Sequence, residues 1–137
     1  MKSYEFLEHT ADIGIRVKAK SLEGLFTAVA LAMFDIACRK SKPATKKKPI
    51  LVKLSSADLP ELFVNWLNEL LSLSATRQLI FSDFKIKKLN NTTLEAAVSG
   101  ADTKNYKMKT EIKAATYHQL RIEEDESGWI AEVIFDV

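Results

Sequence analysis

Apolar and polar residues alternate near the start of the chain, which is the period-2 pattern of half-buried strands. Tyr4 and Phe6 carry the pattern first, and it resumes over residues 13–19. Between these two stretches, residues 8–12 have the sequence Glu-His-Thr-Ala-Asp. We therefore expect two strands joined at a corner that holds a carboxylate and an imidazole.

Two later stretches change to spacings of three and four, which are typical of amphipathic helices. The first covers residues 22–38 and follows Ser21, a predicted N-cap. The second opens at Asp58, with Glu61 completing a capping-box-like start, and its apolar stripe extends to Leu70. The pattern thus predicts two helices, each with one buried face.

Residues that break the apolar pattern around these helices are predicted to face solvent. Asn65 and Asn68 lie off the stripe of the second helix and should face away from it. The stretch 39–49 carries six cations and two prolines, which indicates an exposed loop. A short strand over residues 50–54 follows this loop.

The second half of the chain returns to a period of two. Residues 84–98 predict a hairpin, and residues 108–122 form the longest alternating run. A run of this length usually contains a bulge or a bend. In this run Lys113 lies on the polar face, whereas His118 lies in the register of the buried face. A returning strand ends at Phe135.

Composition and pattern together predict one α+β domain over residues 1–137, a mainly antiparallel or mixed sheet with two amphipathic helices. The net charge of +2 argues against a general polyanion binder. The single cysteine cannot form an internal disulfide, and no secretory or membrane-spanning apolar run is present, so we expect a cytoplasmic protein with no membrane contact.

Two carboxylates in this pattern suggest a site for a hard cation. Asp12 lies at the first corner and Asp136 follows the last apolar strand, where the oxygens of Val137 would add ligands. The ordinary alternatives stay open, because a corner aspartate usually caps or turns the backbone and chain ends are usually solvated.

For the other polar residues, too, a functional role competes with an ordinary structural one. Lys113 is either one charge on a solvated sheet face or a positioned charge for phosphate. His9 invites an acid–base role beside Asp12, yet no nucleophile is near it in sequence. The basic stretch 39–48 lacks neighbouring aromatic residues for base stacking, so RNA contact is expected to be indirect or weak. No glycine-rich phosphate loop is present, which disfavours a nucleotide-using enzyme.

Four blocks, in order over nearly the whole chain, resemble the archease family. They are Glu-His-Thr-Ala-Asp-Ile at 8–13 with Ser-Leu-Glu at 21–23, Asn-Trp-Leu-Asn-Glu-Leu-Leu at 65–71, Glu-Ile-Lys-Ala-Ala-Thr-Tyr-His at 111–118, and Ile-Phe-Asp-Val at 134–137.

The resemblance implies an archease-like fold and a partner protein rather than an enzyme. Archeases assist the GTP-dependent RNA ligase of tRNA splicing and RNA repair by promoting its guanylylation and multiple turnover. The resemblance further implies a divalent cation, typically calcium, held by Asp12, Asp136 and Val137, and an activating lysine at Lys113.

Two other functions remain as alternatives. One is a chaperone-like modulator of another tRNA-processing enzyme, such as a tRNA methyltransferase, to which archeases have also been linked. The other is a small metal-dependent hydrolase using Asp12, His9 and Asp136, which the missing nucleophile disfavours.

Overall fold

The computed structural model describes residues 3–7 and 12–137 of the chain. Within these residues two α-helices lie among nine strands, which confirms the predicted α+β class. None of the helices in the described part of the chain is long and apolar enough to cross a membrane. In chain order the elements are β1 Tyr4–Leu7, β2 Ile13–Ala19, α1 Leu22–Ala37, β3 Cys38–Lys40, β4 Ile50–Ser55, α2 Leu59–Arg77, β5 Leu79–Leu89, β6 Thr93–Asp102, the short 3-10 helix Thr103–Asn105, β7 Tyr106–Met108, β8 Ala114–Asp125 and β9 Gly128–Asp136.

The described strands form three antiparallel sheets. The largest has the order β1-β2-β9-β8, the second has the order β4-β6-β5, and the third is the two-stranded pair β3-β7. β9 therefore lies between an early strand, β2, and its own sequence neighbour, β8. This order brings the two ends of the described chain into one sheet.

Side-chain caps start both helices where the sequence predicts. The Ser21 hydroxyl accepts a hydrogen bond from the Gly24 N–H at 3.0 Å. The Asp58 carboxylate accepts from the Glu61 N–H at 2.9 Å, and the Glu61 carboxylate in turn accepts from the Ala57 N–H at 2.9 Å. These bonds satisfy N–H groups that a helix start leaves without intrahelical partners.

Aromatic side chains fix the two helices against each other. Trp66 of α2 is fully buried, and its ring N–H donates to the Phe26 carbonyl of α1 at 3.0 Å. The Phe26 and Phe63 rings meet edge to face, with centroids 5.2 Å apart, a favourable arrangement for aromatic pairs. The two helices are thus packed against each other through buried aromatic side chains.

The predicted hairpin is confirmed, with β5 and β6 paired across a turn at Asn90. The Asn90 side-chain oxygen accepts from the N–H groups of Thr92 and Thr93 at 2.9 and 2.8 Å. Farther along this pair Gly100 allows the strands to approach closely, since a Cβ there would lie 1.9 Å from the Ile80 carbonyl oxygen.

The alternating run over residues 108–122 is interrupted, as its length leads us to expect, and it does not form one continuous strand. β7 ends at Met108, and residues 109–113 are irregular before β8 begins. The N–H groups of Lys109 and Thr110 both donate to the Ala37 carbonyl, at 2.8 and 3.1 Å, which draws this segment to the end of α1. Lys113 consequently lies just before β8 and not in mid-strand.

The register of β8 also changes within the strand. Its pairing with β9 shifts between Thr116 and Arg121, and Gln119 adopts a left-handed φ of 51°. This bulge breaks the alternation of faces on which the buried position of His118 was predicted. His118 is exposed, so that prediction is wrong.

The stretch 39–49 is only partly the loop that its composition predicts. Arg39 and Lys40 belong to β3 and pair with Lys107 and Tyr106 of β7. The rest of the stretch is a loop. The partner strand lies more than sixty residues away, so local composition does not reveal the pairing.

Candidate functional site

One end of the largest sheet brings the predicted cation ligands together. β2 and β9 pair with Ile13 opposite Phe135, so Asp12 precedes and Asp136 follows the same cross-strand pair. Asp12 is half-buried and Asp136 is exposed. The two aspartates are far apart in sequence but are therefore located at the same end of the strand pair.

β8 brings Lys113 to this end as well. Ala114 pairs with Asp136, and the Lys113 N–H donates to the Asp136 carbonyl at 2.8 Å. The Lys113 side chain is exposed, whereas Val137 is half-buried and packs against the core. We call Asp12, Lys113, Asp136 and Val137 the tip. Backbone hydrogen bonds of three strands hold it together.

Asn68 supports the tip from α2 through a pair of hydrogen bonds. Its side-chain oxygen accepts from the Ala115 N–H at 2.8 Å, and its amide nitrogen donates to the Ala115 carbonyl at 3.2 Å. β8 is an edge strand, so this amide takes the place of a neighbouring strand at one residue. The prediction that Asn68 faces away from the packed side of the helix is wrong.

Asn65 makes a different contact one turn earlier on the helix. It is half-buried, and its amide nitrogen donates to the Ser56 hydroxyl at 3.1 Å. The expectation that it faces solvent is therefore also wrong. The positions beside the apolar stripe of a helix are usually charged, but here both are asparagines. That departure is the signal in the sequence that could have indicated buried hydrogen bonds.

The chemistry of the tip suits a hard cation. Asp12 and Asp136 directly flank the cross-strand pair of Ile13 and Phe135, so two carboxylates belong to the same end of the sheet. Carboxylate and main-chain oxygens are the ligands that calcium prefers. Within residues 3–7 and 12–137 no three or more His, Cys, Asp or Glu side chains are grouped closely enough to hold a metal ion. A cation at the tip would therefore take two carboxylates, main-chain oxygens of Val137, and water.

Part of the predicted corner lies outside the described residues. Glu8 and His9 belong to the part that is not described, so the acid–base hypothesis for His9 stays a prediction.

Two partly buried groups elsewhere in the described residues hold their protons more tightly than usual. Burial raises the pKa of the Cys38 thiol to about 11, and the thiol donates to the Phe34 carbonyl at 3.4 Å. Burial and a hydrogen bond to the Asp35 carboxylate also raise the pKa of Tyr4. Because thiolate is the reactive form of cysteine, the raised pKa disfavours a nucleophilic role for Cys38 at neutral pH.

The fold and the tip define a small two-helix α+β protein with paired carboxylates at one end of its largest sheet. The chain belongs to the archease family, since the Archease protein family (MTH1598/TM1083) matches residues 4–137. The resemblance seen in the four sequence blocks is thereby confirmed.

Relatives match over essentially their whole length. The chain is 40% identical to protein archease of Pyrococcus abyssi, covering 100% of both chains, and 35% identical to protein archease of Methanosarcina barkeri, covering 99% of this chain and 97% of the relative. Both names describe a protein and state no enzymatic activity.

Solved structures agree with the fold. The solution structure of Methanobacterium thermoautotrophicum protein 1598 matches with a TM-score of 0.82 and 32% identity over 100% of both chains. The crystal structure of an archease, possible chaperone, from Thermotoga maritima has a TM-score of 0.67 at 24% identity, covering 96% of this chain and 94% of that one. The second match supports the fold alone.

Proposed function

We propose that the chain is a non-catalytic activator of a GTP-dependent RNA ligase in tRNA splicing or RNA repair, which promotes ligase guanylylation and multiple turnover. The observation that supports this most is the meeting of Asp12, Asp136 and Lys113 at one end of the sheet in a member of the archease family. Lys113 and Asp136 are exposed there, so the tip presents both signs of charge, which suits insertion into a partner's active site.

Each tip residue has a role in this proposal. The Lys113 ammonium would neutralise charge on the GTP phosphates in the ligase active site, where preorganised charges favour guanylyl transfer. The carboxylates of Asp12 and Asp136 would help to position the metal ions of the ligase. The chain itself contributes no nucleophile to this reaction.

We infer that Asp12, Asp136 and the main-chain oxygens of Val137 hold a divalent cation, calcium in preference to zinc. Calcium takes oxygen ligands in flexible geometry, whereas structural zinc sites use cysteine and histidine. When bound, the cation would tie the start of β2 to the end of β9.

The test is transfer of radiolabelled GMP onto the cognate RNA ligase, with and without this protein, at limiting divalent metal. We expect acceleration at substoichiometric protein, because a recycling activator serves many ligase molecules. An active ligase that gains nothing from the protein would contradict the proposed function, whereas the family assignment would be unaffected.

Asp136→Asn should abolish stabilisation by calcium. Saturation at about 100 times the dissociation constant adds about 2.7 kcal/mol to the free energy of unfolding, which raises the melting temperature by several degrees. We expect this rise in the wild-type chain and not in the variant. Glu124→Gln removes an exposed carboxylate elsewhere on β8 and should keep the full shift. Equal shifts in all three proteins would exclude the tip as the calcium site.

A chaperone-like role toward another tRNA-processing enzyme, such as a tRNA methyltransferase, is the second candidate. This chain shares the archease family with the Thermotoga maritima protein, whose structure is described as that of a possible chaperone. A pull-down that recovers a methyltransferase and no ligase would support this second candidate over the first.

A further inference from the structure

The positive charge of the chain is concentrated in two segments. Residues 39–48 contain six Lys or Arg and residues 103–110 contain three, and neither segment contains an acidic residue. The chain has 20 Lys and Arg in total, so the remainder holds 11 of them against all 18 acidic residues. The net charge of +2 therefore conceals a basic region on an otherwise acidic protein.

Backbone pairing joins these two segments into one surface. Arg39 of β3 lies opposite Lys107 of β7. The N–H groups of Ser41 and Lys42 both donate to the Asn105 carbonyl, at 2.9 and 3.3 Å. The result is a group of six exposed cations, which we call the basic ribbon: Arg39, Lys40, Lys42, Lys104, Lys107 and Lys109.

The cations of the ribbon lie close together and form no salt bridges within the described part of the chain. Like charges directly opposite each other in an antiparallel pair are destabilising, and Arg39 and Lys107 are such a pair. Within the described residues no ribbon cation has a carboxylate oxygen within 4.0 Å. Three acidic residues, Asp35, Asp102 and Glu111, lie near the ribbon in sequence and offset only part of its charge of six. Two of their carboxylates already accept hydrogen bonds, Asp35 from a tyrosine hydroxyl and Asp102 from the 3-10 helix that it caps. An external anion would relieve this repulsion.

The ribbon also continues directly into the tip. Lys109 hydrogen-bonds to the end of α1, and four residues later the Lys113 N–H bonds to Asp136. Four residues span at most about 14 Å even when fully extended. A long anion bound along the ribbon therefore reaches the surroundings of Lys113.

We propose that the basic ribbon binds the phosphate backbone of RNA without reading its bases. The choice of RNA over an acidic protein surface rests on the proposed function, because a tip acting at an RNA ligase active site brings the ribbon beside the RNA ends. Contact with phosphates needs clustered cations and no stacking residues. The lack of aromatic residues in the stretch 39–48, from which the sequence predicts only weak contact, does not count against this mode of binding.

The experiment measures fluorescence anisotropy of a labelled RNA stem-loop titrated with the full chain at several salt concentrations. We expect a linear fall of log affinity with log salt concentration. The variant Arg39→Gln/Lys40→Gln/Lys107→Gln should bind roughly tenfold or more weakly, and its salt slope should be smaller by about 3 if each side chain contacts one phosphate.

The matched control is Lys18→Gln/Lys20→Gln/Lys87→Gln, which removes the same charge from exposed positions outside the ribbon. It should keep nearly the wild-type affinity and slope. Equal weakening in both variants, or no binding by the wild-type chain, would overturn the proposal. Thermal unfolding of each variant verifies that the fold is retained.

A second measurement, binding of the ribbon variant to the ligase, distinguishes RNA from an acidic protein surface as the ligand of the ribbon. If RNA does not bind but the ribbon variant weakens the complex with the ligase, the ribbon contacts an acidic protein surface and the proposal is wrong. The GMP-transfer assay contains no RNA, so it tests the proposed function alone. The anisotropy titration tests RNA binding alone, and failure of one proposal can be distinguished from failure of the other.

Discussion

Lys113→Ala should reduce ligase guanylylation to the unstimulated rate while leaving the fold intact. Removal of one preorganised charge contact from a reaction centre commonly costs on the order of a hundredfold in rate. The side chain is exposed, and the hydrogen bond of this residue to Asp136 uses the backbone N–H, which alanine keeps. The change in the free energy of unfolding should therefore stay within about 0.5 kcal/mol. GMP transfer and urea unfolding of the same preparation measure the two quantities.

Three companion variants identify charge as the property that matters. Lys113→Met keeps most of the side-chain length and should fail like the alanine variant, whereas Lys113→Arg keeps the charge and should retain part of the stimulation. Lys85→Ala removes an exposed lysine from the other large sheet and should behave as wild type. Normal stimulation by Lys113→Ala would remove the role assigned to this residue.

Asn68→Ala should destabilise the fold by roughly 2–4 kcal/mol. The substitution removes both hydrogen bonds to Ala115, which is 4% exposed, and leaves its N–H and carbonyl without their partners. An unsatisfied buried backbone group costs about 1–3 kcal/mol. Equilibrium urea unfolding measures the loss, and hydrogen exchange of the Ala115 amide should become faster at the same time.

Asn65→Ala is the matched control on the same helix. Its single side-chain hydrogen bond, to Ser56, should be worth only about 1 kcal/mol. If both substitutions cost the same, the two bonds to Ala115 would carry no special weight, and general loss of amide packing would explain both results.

The helices follow from the sequence because local patterns determine them. Apolar spacings of three and four, together with the side chains of Ser21 and Asp58, specify the first residues of α1 and α2. All of these signals act within four or five residues of one another. The hairpin at Asn90 is predictable for the same reason, since its turn bonds join neighbours.

The features that were missed depend on residues distant in sequence. A bulge or bend is expected in the run 108–122 from its length, but its alternation does not show that contacts to Ala37 hold residues 109–110 or that a left-handed Gln119 shifts the register of β8. No local pattern encodes those contacts. Similarly, Asn68 looks like a solvated helix position until β8 is placed beside it.

The candidate site was only partly predictable for the same physical reason. Asp12 and Asp136 could be chosen as oxygen ligands from residue type and from the family resemblance. Their meeting depends on the strand order β1-β2-β9-β8, which the sequence pattern does not fix. The mid-strand position of Lys113 was wrong, although the residue still reaches the same end of the sheet.

The place of β9 inside the largest sheet has a consequence for synthesis of the chain. β2 leaves the ribosome early but has β9 as its neighbour, and β9 is made only after both helices and the other sheets. Non-local pairing of this kind forms late in folding. A nascent or prematurely terminated chain would thus contain Asp12 without Asp136, and it would lack the assembled tip. Partner engagement through the tip would then be restricted to chains whose translation has passed residue 136.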